Sequence, residues 1–154
     1  MSDELKALNE MSSNFKKISS KIKLYTLISK AKKEYDSYNF SEAKQNLEQA
    51  KLVDSKNSTV LRGLGCLELF NKNYKGALDY FNKALKNSSE KELELTLIGM
   101  VYYLQDKLDD SIKYFNLAIS ENENYDKAYE ARNQAMLENH LKIIDLQEAL
   151  KKYF

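Results

Sequence analysis

Apolar residues recur every three or four positions along most of the chain, and short polar turns interrupt this pattern at regular places. The clearest stretch is 60–85, VLRGLGCLELFNKNYKGALDYFNKAL, in which a polar turn at 71–73 separates two apolar runs. Because residues three or four apart share one face of an α-helix, this stretch predicts two short amphipathic helices. The stretches 24–56 and 92–119 show the same alternation, so the sequence predicts three helix pairs.

The three helix pairs keep a fixed interval of 34 residues, and six positions hold it without a gap. These positions are Leu27, Leu61 and Leu95; Ala31, Gly65 and Gly99; Phe40, Tyr74 and Leu108; Ala43, Ala77 and Ser111; Leu47, Phe81 and Phe115; and Ala50, Ala84 and Ala118. A register this regular indicates three copies of one structural unit.

The pattern resembles the tetratricopeptide repeat (TPR), a helix–turn–helix unit of this length. The resemblance covers residues 24–125 and divides them into repeats 24–57, 58–91 and 92–125. It implies an all-α, right-handed α-solenoid in which the first helix of each pair lines a concave surface. Packing explains the residue types, since Gly65 would let two helices approach closely and Phe81 would fill the space beside it.

An apolar stripe runs along the N-terminal extension, residues 1–23, and continues just beyond it. Its spacing predicts a helix from 3 to about 19, and its last two members prolong it at close to heptad spacing. The stripe consists of Leu5, Leu8, Met11, Phe15, Ile18, Ile22 and Tyr25. Serine pairs at 12–13 and 19–20 could break the helix. We expect the stripe to pack on the first repeat; the alternative is a partner-binding or coiled-coil arm.

The C-terminal pattern predicts one long helix from 124 to about 152, so 126–154 are expected to form a capping helix on the third repeat. A slipped fourth repeat, with a turn at 139–140, fits the spacing less well. The second half of the helix carries more apolar residues than a solvated cap needs, namely Leu141, Ile144, Leu146, Leu150, Tyr153 and Phe154. This surplus predicts a partner, either another protein or a second copy of the chain.

Composition places the chain among soluble single domains, with 154 residues, 31% of them charged, and a net charge of +1. A net charge this small gives little electrostatic attraction for nucleic acid, so no nucleic-acid partner is expected. The single Cys66 fits a reducing compartment. Neither a signal peptide nor an apolar run of roughly 18–20 residues is present, so we expect a cytoplasmic protein without a membrane partner.

Residues suited to catalysis are sparse. The one histidine, His140, falls on a polar helix face, and Cys66 has no histidine nearby in the sequence. These two residues are too few for a zinc site, and the acidic clusters at 106–110 and 121–126 lack the glycine and ligand alternation of a calcium loop. We therefore expect no enzyme activity, no cofactor and no metal.

Charge is unevenly distributed along the chain. Residues 15–33 hold seven lysines and no acid, whereas residues 90–130 hold ten acids and four lysines. Solvated helix faces explain both runs. The alternatives are an acidic partner or membrane surface at the N-terminal end, or head-to-tail association of opposite ends.

The TPR resemblance implies that peptides or helices bind on the concave surface. Mapped onto this chain, the lining comprises Ile28, Lys32 and Tyr35; Arg62, Cys66, Leu69 and Phe70; and Thr96, Met100, Tyr103 and Leu104. Chaperone-binding members of the family grip a C-terminal carboxylate with polar and basic side chains. Because Ile28, Gly63 and Leu97 stand at those positions here, a carboxylate clamp is not expected.

The apolar, aromatic lining predicts a protein–protein interaction scaffold or adaptor that binds a peptide or an amphipathic helix in its groove. Tyr35, Phe70 and Tyr103 are the expected anchors. A competing interpretation places the chain's own helix at 5–15 in the groove. The alternative function is a self-associating structural protein, a homodimer formed through its terminal helices or its groove.

Overall fold

The computed structural model describes residues 2–137 and 150–154, and every regular element in these ranges is an α-helix. The helices are α1 Asp3–Asp36, α2 Phe40–Val53, α3 Ser58–Phe70, α4 Tyr74–Asn87, α5 Lys91–Leu104, α6 Leu108–Glu121 and α7 Asp126–Leu137. Helices α1 to α6 form three pairs, each joined by a short turn. The predicted all-α fold of helix–turn–helix repeats is confirmed. None of the described helices is both long and apolar enough to cross a membrane.

The chain divides into two compact units, one ending at Ser55 and the other beginning at Lys56. The first unit contains α1 and α2. Helix α1 is continuous through both serine pairs, so neither possible break occurs. Only its second half is packed, where Leu24, Leu27, Ala31 and Tyr35 are buried together with Ala43, Leu47 and Ala50 of α2.

The apolar stripe of α1 is exposed to solvent. Side-chain exposure ranges from 48% at Leu5 to 74% at Phe15, and Tyr25 is still 66% exposed next to the buried Leu24. The prediction that this stripe packs on the first repeat is therefore wrong. The physical reason is geometric, because at about 100° per residue the stripe lies on the side of α1 opposite the residues that face α2.

The second unit contains α3 to α7 and shows the small-to-aromatic packing expected from the repeat. A methyl group added at Gly65 would lie 2.5 Å from Cε1 of Phe81, and one added at Gly99 would lie 2.5 Å from Cε1 of Phe115. Both aromatic rings are buried. Helices α3 and α5 can therefore approach α4 and α6 closely only because these two positions have no side chain.

The turn within each helix pair contains a residue in the left-handed backbone region. Tyr38, Lys72 and Asp106 have φ values of 62°, 59° and 58°, and they are spaced by the repeat length. In the first two turns, the following asparagine donates a side-chain hydrogen bond back to a glutamate near the end of the preceding helix. None of the three left-handed residues is a glycine, so the sequence carried no signal for this geometry.

The C-terminal part departs from the predicted single helix. Helix α7 packs on α5 and α6, with Ala128 beside Leu95 and Ala118. Lys127 Nζ donates a 2.8 Å hydrogen bond to the backbone oxygen of Lys152. A straight helix from 124 to 152 would separate these two residues by about 37 Å, so that prediction is wrong. His140, Leu141, Ile144 and Leu146 lie outside the described residues.

Candidate functional site

The predicted lining residues are less accessible than a ligand-ready groove requires. Lys32 alone among them is exposed, and Ile28, Phe70, Tyr103 and Leu104 are half-buried. The remaining six are buried, namely Tyr35, Arg62, Cys66, Leu69, Thr96 and Met100. Ile28, Lys32 and Tyr35 belong to the first unit and the other eight to the second.

In the first unit, the side chain of Tyr35 packs in the interior of the α1–α2 helix pair. Its ring meets the ring of Phe40 edge to face, with centroids 5.2 Å apart, and its side chain has no solvent-exposed surface. An anchor for a ligand has to present its ring to that ligand. Tyr35 is therefore a packing residue in this structure, contrary to its expected role as an anchor.

In the second unit, the central polar group of the predicted lining is Arg62 on α3. Its Nε donates a 3.0 Å hydrogen bond to Oε1 of Glu94 on α5, and both side chains are almost completely buried. A second guanidinium nitrogen lies 3.6 Å from Oε2 of Glu90, which is exposed. We call the predicted lining positions of α3 and α5 other than Leu69 the α3–α5 face; they are Arg62, Cys66, Phe70, Thr96, Met100, Tyr103 and Leu104.

Sequence reasoning missed Glu94. Thirty-four positions earlier stands Val60, so the repeat predicts an apolar core residue at this place. An arginine and a glutamate on the first helices of adjacent repeats were the available signal. Charged side chains are almost never fully buried unless they are paired.

Burial controls the protonation of this site. It raises the pKa of Glu94 to about 7, although Arg62 and the hydroxyl of Ser88 lower it; the carboxylate of Glu90 raises it further. Burial also raises the pKa of the Cys66 thiol, with Arg62 opposing and Glu94 adding to the shift. A thiol held neutral is a poor nucleophile, so Cys66 serves as an apolar wall. Thr96 donates its hydroxyl hydrogen to the backbone oxygen of Glu92, 2.7 Å away.

The last five residues, 150–154, pack against the second unit, and we call them the C-terminal segment. Leu150 is fully buried and Tyr153 is 8% exposed, which contradicts the prediction that both are surplus surface for a partner. Arg62 makes a longer contact of 3.5 Å to the backbone oxygen of Tyr153. Lys127 binds the backbone oxygen of Lys152, and its ammonium lies 5.3 Å from the centre of the Tyr153 ring.

The C-terminal segment is thus held by two cations, two backbone carbonyls and two apolar side chains. Burial, with a smaller contribution from Glu130, raises the pKa of Tyr153 to about 12. Sequence reasoning named Arg62 but not Lys127, which lies in the first turn of α7. In the described part of the chain, no group of three His, Cys, Asp or Glu side chains comes together to hold a metal ion.

Solved structures with the same fold are TPR domains. The Arabidopsis OM64 TPR domain superposes with a TM-score of 0.64 at 13% identity, over 73% of this chain and 93% of that one. The first TPR domain of Spaghetti (RPAP3), solved with the HSP90 peptide SRMEEVD, gives 0.66 at 16% identity, over 75% and 91%. MamA gives 0.63 at 19% identity, over 84% and 75%. The TPR fold expected from the sequence is confirmed.

Two further comparisons returned nothing. No family model matches the sequence, and no curated protein matches it either.

Proposed function

We propose that this chain is a protein-interaction module that binds a short peptide segment, in extended or helical form, on the α3–α5 face. The observation that carries the proposal is the docking of the chain's own C-terminal segment on the same unit. That segment buries Leu150 and offers its backbone carbonyls to Arg62 and Lys127. A surface that accommodates one such segment has the chemistry to accommodate another of similar composition.

The contacts of the segment indicate the class of ligand. A guanidinium has five N–H donors, so Arg62 can bind Glu94 and still reach a backbone carbonyl. Contacts to backbone atoms favour peptides in general, whereas buried side chains distinguish one peptide from another. Leu150 and Tyr153 are three residues apart, which is the spacing of neighbouring anchors on a helical ligand. The proposed ligand therefore carries an aliphatic and an aromatic residue at this spacing.

An acidic C-terminal peptide fits this face less well. The Spaghetti domain was solved with such a peptide, SRMEEVD. In this chain the central cation, Arg62, is already paired with the buried Glu94, and Gly63 and Leu97 are buried as well. The face therefore offers little unpaired positive charge to a carboxylate, and apolar contacts dominate it.

The C-terminal segment acts as a resident competitor in this proposal. An incoming peptide has to displace residues 150–154 or to bind beside them. Phe70, Tyr103 and Leu104, at the carboxyl ends of α3 and α5, are half-buried and form the more accessible edge of the face. Phe70 and Tyr103 keep their predicted role as anchors here.

A binding measurement on the 154-residue chain tests the proposal. In a Leu150→Ala, Tyr153→Ala variant the resident segment is weakened, and a fluorescent peptide of wild-type sequence 138–154 is titrated onto it. We expect saturable binding and at least about tenfold weaker binding of a peptide with the same two alanines. Replacing Phe70 and Tyr103 with alanine should weaken binding while the circular dichroism stays helical. Equal binding of both peptides contradicts the proposal.

A further inference from the structure

The exposed stripe of α1 has the spacing of a coiled-coil seam. Its last six members, Leu8, Met11, Phe15, Ile18, Ile22 and Tyr25, alternate steps of three and four residues. This is the a/d pattern of the heptad repeat, carried over almost three heptads. All six side chains are between 57% and 74% exposed, and no described helix of the first unit covers them.

Helix α1 holds the seam residues exposed while its opposite side is packed against α2. Helix α1 has 34 residues, and its second half is anchored by α2 on the side opposite the seam. Its amino terminus is capped, because the Ser2 hydroxyl accepts a hydrogen bond from the backbone N–H of Leu5. An isolated helix of this kind would be marginal in water, but here the packed half supplies the nucleus from which it extends.

We propose that the seam binds the α1 seam of a second copy of this chain, with the two helices antiparallel. Pairing all six seam residues fixes the register. Phe15 then packs on Ile18 of the second copy, Met11 on Ile22, and Leu8 on Tyr25. Each contact occurs twice, as the two-fold symmetry of a homodimer requires.

Charge decides the orientation. Residues 3–10 hold three acids and one lysine, whereas residues 16–23 hold four lysines and no acid. In the antiparallel register, residues 3–10 of one copy lie level with residues 23–30 of the other, which hold two lysines and no acid, and Glu10 is level with Lys23. Parallel helices would align eight lysines side by side, which is repulsive.

The positions that flank the seam allow a second copy to approach. On one side they are Ser12, Ser19 and Thr26, which are small and uncharged. The Thr26 hydroxyl already donates a 2.8 Å hydrogen bond to the backbone oxygen of Ile22. Like charges at flanking positions would exclude self-pairing, and this side of the seam has none. The proposal does not depend on peptide binding at the α3–α5 face.

Mass measured by light scattering, from micromolar to near-millimolar concentration, tests the association. We expect the full chain to move toward twice its 17.9 kDa as concentration rises. A Phe15→Asp, Ile18→Asp variant should weaken the dimer at least about a hundredfold, since it places charges in an apolar seam. Ser13→Asp adds a charge on the opposite side of the same helix and should leave the dimer intact. Circular dichroism should remain helical in both variants.

Cysteine cross-linking tests the orientation. Leu8→Cys and Tyr25→Cys chains mixed under oxidising conditions should give the mixed disulfide, and neither variant alone should cross-link. The buried Cys66 stays out of this reaction. A chain that remains monomeric at every concentration overturns the proposal, and so does a dimer that persists with both aspartates in the seam. Cross-linking of each variant to itself overturns the antiparallel arrangement.

Discussion

Arg62 and Glu94 form a buried ion pair between the first helices of adjacent repeats, with Nε of the arginine 3.0 Å from Oε1 of the glutamate. Removing charges from water is costly, and mutual attraction offsets that cost only when the geometry is good. The pair joins α3 to α5, and we expect its net contribution to the stability of the fold to be small. It also makes the α3–α5 face sensitive to pH.

Stability should depend on pH through Glu94. The pKa of this carboxyl is raised to about 7 in the folded state, from an ordinary value of 4.5. The folded state therefore binds this proton more tightly than the unfolded state does. The stability gained in this way is fully present below pH 4.5 and is lost as the pH rises through about 7. Urea unfolding of wild type and Glu94→Gln between pH 4.5 and 8 should show a wild-type decline that the variant lacks.

The control for this experiment is Glu90→Gln, which changes an exposed carboxylate near the same arginine. It should retain most of the wild-type pH dependence. Arg62, Glu90, Ser88 and Cys66 are the described groups whose charge or hydrogen bonding is coupled to Glu94. If Glu94→Gln follows the wild-type curve, Glu94 is not the titrating group.

The contact between Gly65 and Phe81 should not tolerate a methyl group. Gly65→Ala places a carbon 2.5 Å from the ring, so the ring or the helices must shift, at a cost of about 1–3 kcal/mol. Adding Phe81→Leu to the Gly65→Ala variant should recover part of that loss, because the smaller side chain leaves space for the added methyl group. Chemical denaturation of the two single variants and the double variant measures the coupling. Strictly additive effects would show that the two positions are not in contact.

The register of the central repeat can be tested by truncating one side chain. Phe81 is fully buried in the second unit, so Phe81→Ala should cost roughly 3–5 kcal/mol. Lys86 lies on the exposed side of the same helix, and Lys86→Ala should change stability by no more than about 0.5 kcal/mol. Similar losses in the two variants would contradict this register.

The left-handed turn residue Lys72 should be replaceable by glycine with a gain in stability. Its φ of 59° costs a residue with a side chain roughly 1 kcal/mol, and glycine avoids that cost. Lys83→Gly, at an exposed position in the interior of α4, should instead lose about 1 kcal/mol. Thermal unfolding of both variants gives the comparison. A lower melting temperature for Lys72→Gly would rule out the strained turn.

If the C-terminal segment is packed, truncating its buried side chain should lower the free energy of unfolding as well as alter peptide binding. Leu150 is fully buried, so Leu150→Ala should cost about 2–5 kcal/mol in the second unit. The side chain of Lys152 is exposed, and Lys152→Ala serves as the matched control two residues away. Equal, small effects of the two substitutions would mean that the segment is not docked.

Features that follow from local spacing were predictable from the sequence. The 34-residue interval specified the three helix pairs and the meeting of Gly65 with Phe81, because both depend on which residues share a helix face. The apolar stripe of α1 was identified for the same reason. Its exposure was not, because periodicity shows that a face is apolar without showing what covers it.

The features that the sequence left open depend on contacts between distant residues. Glu94 stands where the preceding repeat has Val60, and only the three-dimensional structure brings it to Arg62. The C-terminal segment is a second example, since Lys127 and Lys152 are distant in the sequence and only the three-dimensional structure brings them into contact. Local helical spacing, which favoured one continuous helix, contains no information about that contact.

The most direct test of the proposed function compares the wild-type 154-residue chain with its Leu150→Ala, Tyr153→Ala variant. Both are titrated with one fluorescent peptide of sequence 138–154. Fluorescence anisotropy gives both affinities under identical conditions. Because the resident segment already contacts Arg62 of the α3–α5 face, we predict that wild type binds the peptide at least about tenfold more weakly than the variant. Equal affinities, or no binding to a variant that remains helical, would contradict peptide recognition at this face.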